Sequence, residues 1–168
     1  MNNYNITKVN KDDLPAILNV QKKAFLEVVK KFHLKSLPAL EQSLESLTID
    51  FTKGIILKVS IGNTIVGSVR AHKNNETCHI ERLVVLPEYQ NQGIGKALMH
   101  EIETRHTNGV SRFELFTGSR DSRNLQFYNH LGYKPFNTEI LNEEVTFIFM
   151  EKSVKEHKII NSGCTTSR

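Results

Sequence analysis

The sequence contains no tryptophan and only two cysteines in 168 residues. Cys78 and Cys164 are far apart and lack metal-ligand spacing, so we predict no metal site, and a reducing cytoplasm is the simplest compartment. No apolar run approaches the ~20 residues that span a bilayer. The polar start, MNNYNITKVNKDD, lacks the apolar core of a secretory signal. We therefore expect a cytoplasmic chain that does not use a membrane.

The composition is that of one ordinary globular domain, with 39% hydrophobic and 24% charged residues. The net charge is +4 and the pI is near 9.1, which would suit nucleic acid or an anionic cofactor. The basic residues are scattered, and no face combines basic with aromatic side chains. A nucleic-acid-binding domain is therefore the weaker interpretation.

Hydrophobic periodicity divides the chain into alternating strands and helices. Strands are predicted at 4–9, 53–61, 64–72, 77–86, 110–118 and 143–152, and helices at 14–32, 37–47, 95–107 and within 119–132. This order predicts a mainly antiparallel sheet in which one crossover helix makes two neighbouring strands parallel. We place one domain at residues 1–152 and a polar tail at 153–168.

The stretch PEYQNQGIGKALM, residues 87–99, puts two glycines where a strand pattern gives way to a helical one. A glycine inside a helix costs about 1 kcal/mol relative to alanine. At a helix N-terminus, however, glycine lets an anion approach the free N–H groups. The alternative is tight packing of the helix on the sheet. The stretch is neither a P-loop nor a dinucleotide motif, because Ala97 follows Lys96 and Leu98 fills the last glycine position.

The motif Q-x-x-G-x-G after RLVVLPEY, followed about thirty residues later by NLQFYNHLGY, resembles the GNAT superfamily of N-acetyltransferases. The resemblance implies a single α+β domain, with a mixed, mainly antiparallel sheet whose central parallel strands splay apart between flanking helices. It also implies acetyl-CoA as co-substrate, with its diphosphate on the glycine motif (Gln90, Asn91, Gln92, Gly93, Ile94, Gly95 and Lys96) and its pantetheine arm along Leu83, Val84 and Val85.

The second motif implies that Tyr128 lies near the thioester sulfur and that Asn124 contacts the pantetheine. Asp121 stands seven residues before Tyr128, where the family more often has asparagine.

Acetyl transfer to an amine requires a base, an oxyanion donor and an acid. We assign Tyr128 as the acid and Glu81 as the base, and the backbone N–H of Val85 as oxyanion donor. Strand alternation would place Glu81 on one face with His79, Leu83 and Val85. Alternatively, Glu81 pairs with Arg70 or Arg82, or the base is His79, Glu114 or a water.

The sequence thus predicts an acetyl-CoA-dependent N-acetyltransferase that acts on a primary amine. The acceptor, a small molecule or a peptide or protein amine, would bind between residues 25–47 and the last strands. No metal or nucleic acid is expected, and the chain would be a monomer or homodimer. The competing prediction is a CoA-binding regulatory module without turnover.

Overall fold

The structure is a computed structural model that describes residues 3–154. Within these residues the chain forms one seven-stranded sheet and five α-helices. The strands are β1 (Asn5–Lys8), β2 (Ile55–Ile61), β3 (Thr64–Asn74), β4 (Thr77–Val85), β5 (Arg112–Gly118), β6 (Lys134–Ile140) and β7 (Thr146–Ser153). The helices are α1 (Leu14–Phe32), α2 (Pro38–Glu41), α3 (Leu44–Lys53), α4 (Ile94–Thr104) and α5 (Ser122–His130).

The strands lie in the order β1-β2-β3-β4-β5-β7-β6. Neighbours pair antiparallel except β4 and β5, which pair parallel and are joined by the crossover helix α4. The predicted α+β architecture, with one parallel contact at the centre of a mainly antiparallel sheet, is confirmed.

Alternate residues of the sheet build separate cores on its two faces. On β2, Ile56 packs with Leu14, Ile17 and Leu47 beneath α1 and α3. Its neighbour Leu57 belongs to the larger cluster under α4 and α5. The sheet is therefore covered by helices on both faces, and the site described below lies where its two halves part.

The structure differs from the predicted secondary structure in two places. The helix predicted at 37–47 is two helices, because Gln42 takes an extended conformation (φ −60°, ψ 129°) and the Ser43 side chain caps α3 by accepting from Ser46 N–H. Strand β6 was not predicted. All of its residues are exposed, so its sequence carries no apolar alternation, and Pro135 is tolerated there because β6 is an edge strand.

The predicted tail lies almost entirely outside the described residues, which end at Val154. Its first residue, Ser153, is the last residue of β7.

Candidate active site

Strands β4 and β5 pair over only three residues of each and then separate. Their partners are Thr77–Arg112, Cys78–Phe113 and His79–Glu114, although β4 continues to Val85 and β5 to Gly118. Between the separated ends lies a cavity of about 730 Å³, lined by residues 83–85 of β4 and 115–118 of β5. The predicted splay of the central parallel strands is therefore present.

Two regions far apart in the sequence form opposite walls of the cavity. One wall consists of residues of α1 and the segment after it, among them Phe25, Val28, Lys31, Phe32 and Leu37. The opposite wall includes residues 144–147, where β7 begins. These are the two regions between which we predicted the acceptor to bind.

A β-bulge in β4 changes which residues face the cavity. Between the pairs Arg70–Glu81 and Ser68–Val84, β4 has one more residue than β3, and Arg82 takes a left-handed conformation (φ 52°). Beyond the bulge, Leu83 and Val85 pack towards α4 and Val84 packs towards α1. The expected shared face of Glu81 with Leu83 and Val85 is therefore wrong, because the extra residue shifts the alternation by one.

The backbone of β4 directs its free groups into the opening between the strands. Leu86 N–H donates to Val66 C=O at 2.8 Å, so the N–H groups of Val84 and Leu86 point to β3. Those of Leu83 and Val85 consequently point to the opposite side, where β5 has moved away. Val84, predicted with its neighbours to contact the pantetheine, lines the cavity but directs its backbone N–H to β3, so that contact stays a prediction.

Gln90, a predicted cofactor contact, braces this part of the strand. Its side-chain amide donates to Val85 C=O at 2.9 Å, and its backbone N–H donates to Pro87 C=O at 3.2 Å. Gln90 therefore holds the loop before α4 against the end of β4.

The first turn of α4 has backbone N–H groups that make no hydrogen bond within the helix. Gly93 caps the helix in the left-handed conformation (φ 79°), and the first bond of the helix runs from Ala97 N–H to Gly93 C=O at 3.0 Å. Within residues 3–154, the N–H groups of residues 94–96 have no acceptor. Such donors and the helix dipole favour an anion.

The two glycines of the motif have different roles. A Cβ on Gly93 would meet nothing within 4 Å, so the space above this residue is open and only its φ requires glycine. A Cβ on Gly95 would lie 3.5 Å from Phe127 Cζ, an ordinary packing distance. A Cβ would therefore fit at either position, and only the positive φ of Gly93 requires glycine.

Of the other residues of the motif, Asn91, Ile94 and Lys96 line the cavity, whereas Gln92 does not and donates to Glu88 C=O at 3.4 Å. The Asn91 side chain accepts a hydrogen bond from Arg123, which brings a second cation to the same end of the cavity.

Helix α5 brings the second motif to the cavity. Asp121 caps it by accepting from Asn124 N–H at 3.1 Å, which gives this aspartate a structural function at the position where the family more often has asparagine. Asn124 and Tyr128 both line the cavity.

The Tyr128 side chain is suited to remain protonated. It is 7% exposed, and burial, together with the charge of Asp121, raises the pKa of Tyr128 well above its usual value. Its ring contacts Phe127 edge-on at 5.2 Å between centroids, and its hydroxyl makes no hydrogen bond within the described residues. It is thus a proton donor free to meet a ligand.

Among the candidate bases only Glu81 lines the cavity. Its Oε2 lies 3.4 Å from Arg70 Nε, so the pairing with Arg70 left open by the sequence does occur. Glu114 and His79 lie at the paired end of the strands. Glu114 binds Arg112, and His79 stacks on His72 with 5.1 Å between ring centroids.

The sequence analysis missed the buried polar network behind Glu81. Arg70 Nη1 donates to Gln42 Oε1 at 3.2 Å and pairs with Asp50, also at 3.2 Å. Gln21 Nε2 donates to the same Gln42 oxygen at 2.9 Å. The sequence does show polar residues among apolar ones in 37–53. Their partners, however, are 20 to 28 residues away in the chain, so the network is visible only in three dimensions.

Neither a metal cluster nor a membrane helix is found in the part of the chain that the structure describes. No group of three or more His, Cys, Asp or Glu side chains there could hold a metal ion. None of its helices is long and apolar enough to cross a bilayer.

Comparisons with known proteins agree with this geometry. The sequence model of the acetyltransferase (GNAT) domain matches residues 21–154. A Bacillus subtilis (strain 168) protein named as an acetyltransferase is 28% identical to this chain over 91 residues. That alignment covers 54% of this chain and 60% of the relative's length.

Two solved structures share the fold. The PaiA N-acetyltransferase of Thermoplasma acidophilum, solved with coenzyme A, has a TM-score of 0.75 and 21% identity, covering 90% of this chain and 99% of that one. A Salmonella typhimurium protein solved with acetyl-CoA has a TM-score of 0.72 and 16% identity, covering 96% and 99%. Because the family model covers most of the sequence, the chain belongs to the GNAT family of acetyltransferases.

Proposed function

We propose that this protein transfers an acetyl group from acetyl-CoA to a primary amine by direct attack within a ternary complex. The proposal rests mainly on one observation. A single cavity joins the unbonded N–H groups at the start of α4, the cleft-facing backbone of β4, and the side chains of Tyr128 and Glu81.

The start of α4 would hold the diphosphate. The N–H groups of residues 94–96 supply donors, and Lys96 and Arg123 supply positive charge nearby. From there the pantetheine arm would run along Leu83 and Val85 like an added strand, beside Asn124 on α5. The thioester would then lie between Tyr128 and the bulge.

Acetyl-CoA supplies the acetyl group on a thioester, whose C–S bond breaks as the C–N bond to the amine forms. Glu81 accepts the proton that the attacking nitrogen gives up, and Arg70 keeps its carboxylate at the bulge. The N–H of Leu83, next to the bulge, would stabilise the negative charge that develops on the carbonyl oxygen, rather than the predicted N–H of Val85, which lies closer to the diphosphate. Tyr128 donates its proton to the departing sulfur.

The acceptor would enter between α1 and the start of β7. Phe25, Val28 and Phe32 offer an apolar wall there, opposite Val145 and Phe147. We propose a small-molecule amine as the acceptor, since the cavity extends from this entrance to Tyr128; a peptide or protein amine is the alternative.

Release of free thiol from acetyl-CoA in the presence of an amine panel tests the proposal. Acetylated amine, identified by mass, should appear in equal amount to the thiol. Tight binding of CoA without any turnover across the panel would instead support the CoA-binding regulatory module.

A further inference from the structure

Arg82 is a half-buried cation that forms no ion pair within the described residues. Its Nε is inaccessible to solvent and has no hydrogen-bond partner within the described residues. Its guanidinium lies 5.9 Å from the centroid of the Phe25 ring. A buried N–H without an acceptor costs free energy, and the planar guanidinium that carries it matches a carboxylate or phosphate.

The cavity is asymmetric in its charges. Each carboxylate that lines it already has a partner. Glu27 pairs with Lys30 at 3.0 Å, and Glu81 pairs with Arg70 at 3.4 Å. Asp121 and Glu144 accept hydrogen bonds from the backbone N–H groups of Asn124 and Lys35, both at 3.1 Å. The lining cations, by contrast, form no ion pair within the described residues: Lys31, Arg82, Lys96, Arg120 and Arg123. The cavity is therefore prepared for anions rather than for a polycation.

The position of Arg82 separates it from the diphosphate cradle. It comes directly before the cleft-facing residues Leu83 and Val85, whereas the free N–H groups of residues 94–96 come after them. Arg82 and Val85 alone are separated by about 10 Å of strand. Arg82 thus lies at the thioester end of the arm, where the acceptor must bind.

The β4 bulge also places Arg82 beside the proposed base. Consecutive residues of a regular strand point to opposite faces. Here Glu81 reaches Arg70, and Arg82 reaches Phe25 of α1, and both line the same cavity. A nitrogen at Glu81 and an anion at Arg82 would accordingly belong to one small molecule.

We propose that Arg82 binds an anionic group of the acceptor, and that the acceptor is an amine with a carboxylate close to its reacting nitrogen, as in a free amino acid. This inference rests on the proposed acetyl transfer. The new amide bond forms at the nitrogen, and the carboxylate leaves unchanged.

The test compares the twenty standard amino acids with the amines obtained by removing their carboxylates, such as leucine with isopentylamine. Binding to the CoA-loaded protein is measured by calorimetry, and acetyl transfer is measured by thiol release. Wild-type protein should favour the best amino acid over its decarboxylated amine by at least about tenfold in affinity and in kcat/KM, because a charge-assisted contact is lost.

The variant Arg82→Gln should raise KM for that amino acid about 10- to 100-fold and leave kcat within about threefold. It should not change KM for the decarboxylated amine, nor the thermal shift with CoA. Arg105→Gln, which removes an exposed arginine just after α4 and outside the cavity, is the matched control and should keep the wild-type preference. If Arg82→Gln does not fold, Arg82→Lys should still raise KM, since ammonium cannot replace the planar fork.

Equal use of amino acids and decarboxylated amines, or a preference that survives in Arg82→Gln, would overturn the inference and leave the proposed acetyl transfer intact. If amino acids bind in a way that depends on Arg82 but are never acetylated, the binding inference stands and the proposed acetyl transfer is overturned. If no amine of the panel binds and none is acetylated, the amino-acid proposal is refuted.

Discussion

The Nε of Arg70 lies 3.4 Å from Oε2 of Glu81, across the pair of strands that carries the bulge. Arg70 is itself held by Gln42 and Asp50, and it is only 8% exposed. The carboxylate that we propose as base is therefore attached to a rigid buried network rather than to solvent. This arrangement can fix the position of Glu81 in the cavity.

If Glu81 accepts the proton, Glu81→Gln should lower kcat/KM by about 10²–10⁴-fold, the usual contribution of a general base. Thiol release by the two proteins, measured over a range of amine concentrations at saturating acetyl-CoA, gives kcat/KM and checks this loss.

Glu114→Gln provides the comparison for Glu81, because Glu114 lies at the paired end of the strands and does not line the cavity. Its kcat/KM should match wild type. A large loss of kcat/KM in Glu114→Gln, with a normal value in Glu81→Gln, would transfer the base to Glu114.

Replacing Tyr128 by phenylalanine should slow turnover by about 100-fold or more, since the proton for the departing sulfur is lost. CoA binding should stay unchanged. Because the pKa of Tyr128 is raised, its hydroxyl stays protonated above the usual tyrosine range, and wild-type kcat should not fall near pH 10 through this group.

Tyr133→Phe is the control for Tyr128→Phe, because it removes a buried tyrosine hydroxyl that is not the proposed acid. The Tyr133 hydroxyl donates to Glu103 at 2.7 Å. Its removal should cost about 1–3 kcal/mol of stability but leave kcat normal. Normal turnover in Tyr128→Phe would refute the assignment of the acid.

Gly93→Leu should abolish the thermal stabilisation by CoA, since its side chain would stand in the open space over the free N–H groups. Gly62→Leu is a matched control, because Gly62 also has a positive φ (57°) and also has no neighbour within 4 Å of a built Cβ. Both changes should cost about 1–2 kcal/mol through the backbone conformation. Only the first should lose the CoA shift, and an undiminished shift in Gly93→Leu would contradict the cradle.

Asp121→Ala should destabilise the protein by about 1 kcal/mol, because it removes the cap of α5. Asp121→Asn should retain nearly full stability, since asparagine caps equally well. Chemical denaturation of the three proteins measures this difference. Equal stability of the alanine and asparagine variants would show that the cap contributes nothing.

Cys78 should make stability depend on alkaline pH. Burial raises the pKa of its thiol to about 12, whereas an unfolded thiol ionises near pH 8.5. The raised pKa stabilises the folded state fully below the unfolded-state pKa, and this contribution is lost as the pH rises towards the folded-state value.

The advantage of wild type over Cys78→Ala in free energy of unfolding should therefore shrink by about 1 kcal/mol between pH 9 and 10. A constant difference between the two proteins across this interval would show that the Cys78 thiol ionises as readily when folded.

The features that could be predicted from the sequence were those encoded locally. The glycine motif, the crossover helix and the Asn124–Tyr128 helix each depend on neighbouring residues, and all lie where they were expected. The one parallel strand pair followed from the length of its connection.

The features that could not be predicted depend on distant partners. Strand β6 lacks a buried face, and the break at Gln42 is stabilised by Gln21 and Arg70. The bulge at Arg82 needs an alignment of two strands to be seen. That bulge decides which side chains face the cavity. The residues that line the acceptor side could therefore be identified only from the structure.

The binding of the diphosphate by the bare amides of α4 is tested most directly by NMR. Titration of ¹⁵N-labelled protein with CoA should shift the amide resonances of Ile94, Gly95 and Lys96 most strongly, with smaller changes at Leu83 and Val85. Binding of CoA that leaves the three amides of α4 unshifted would contradict the account.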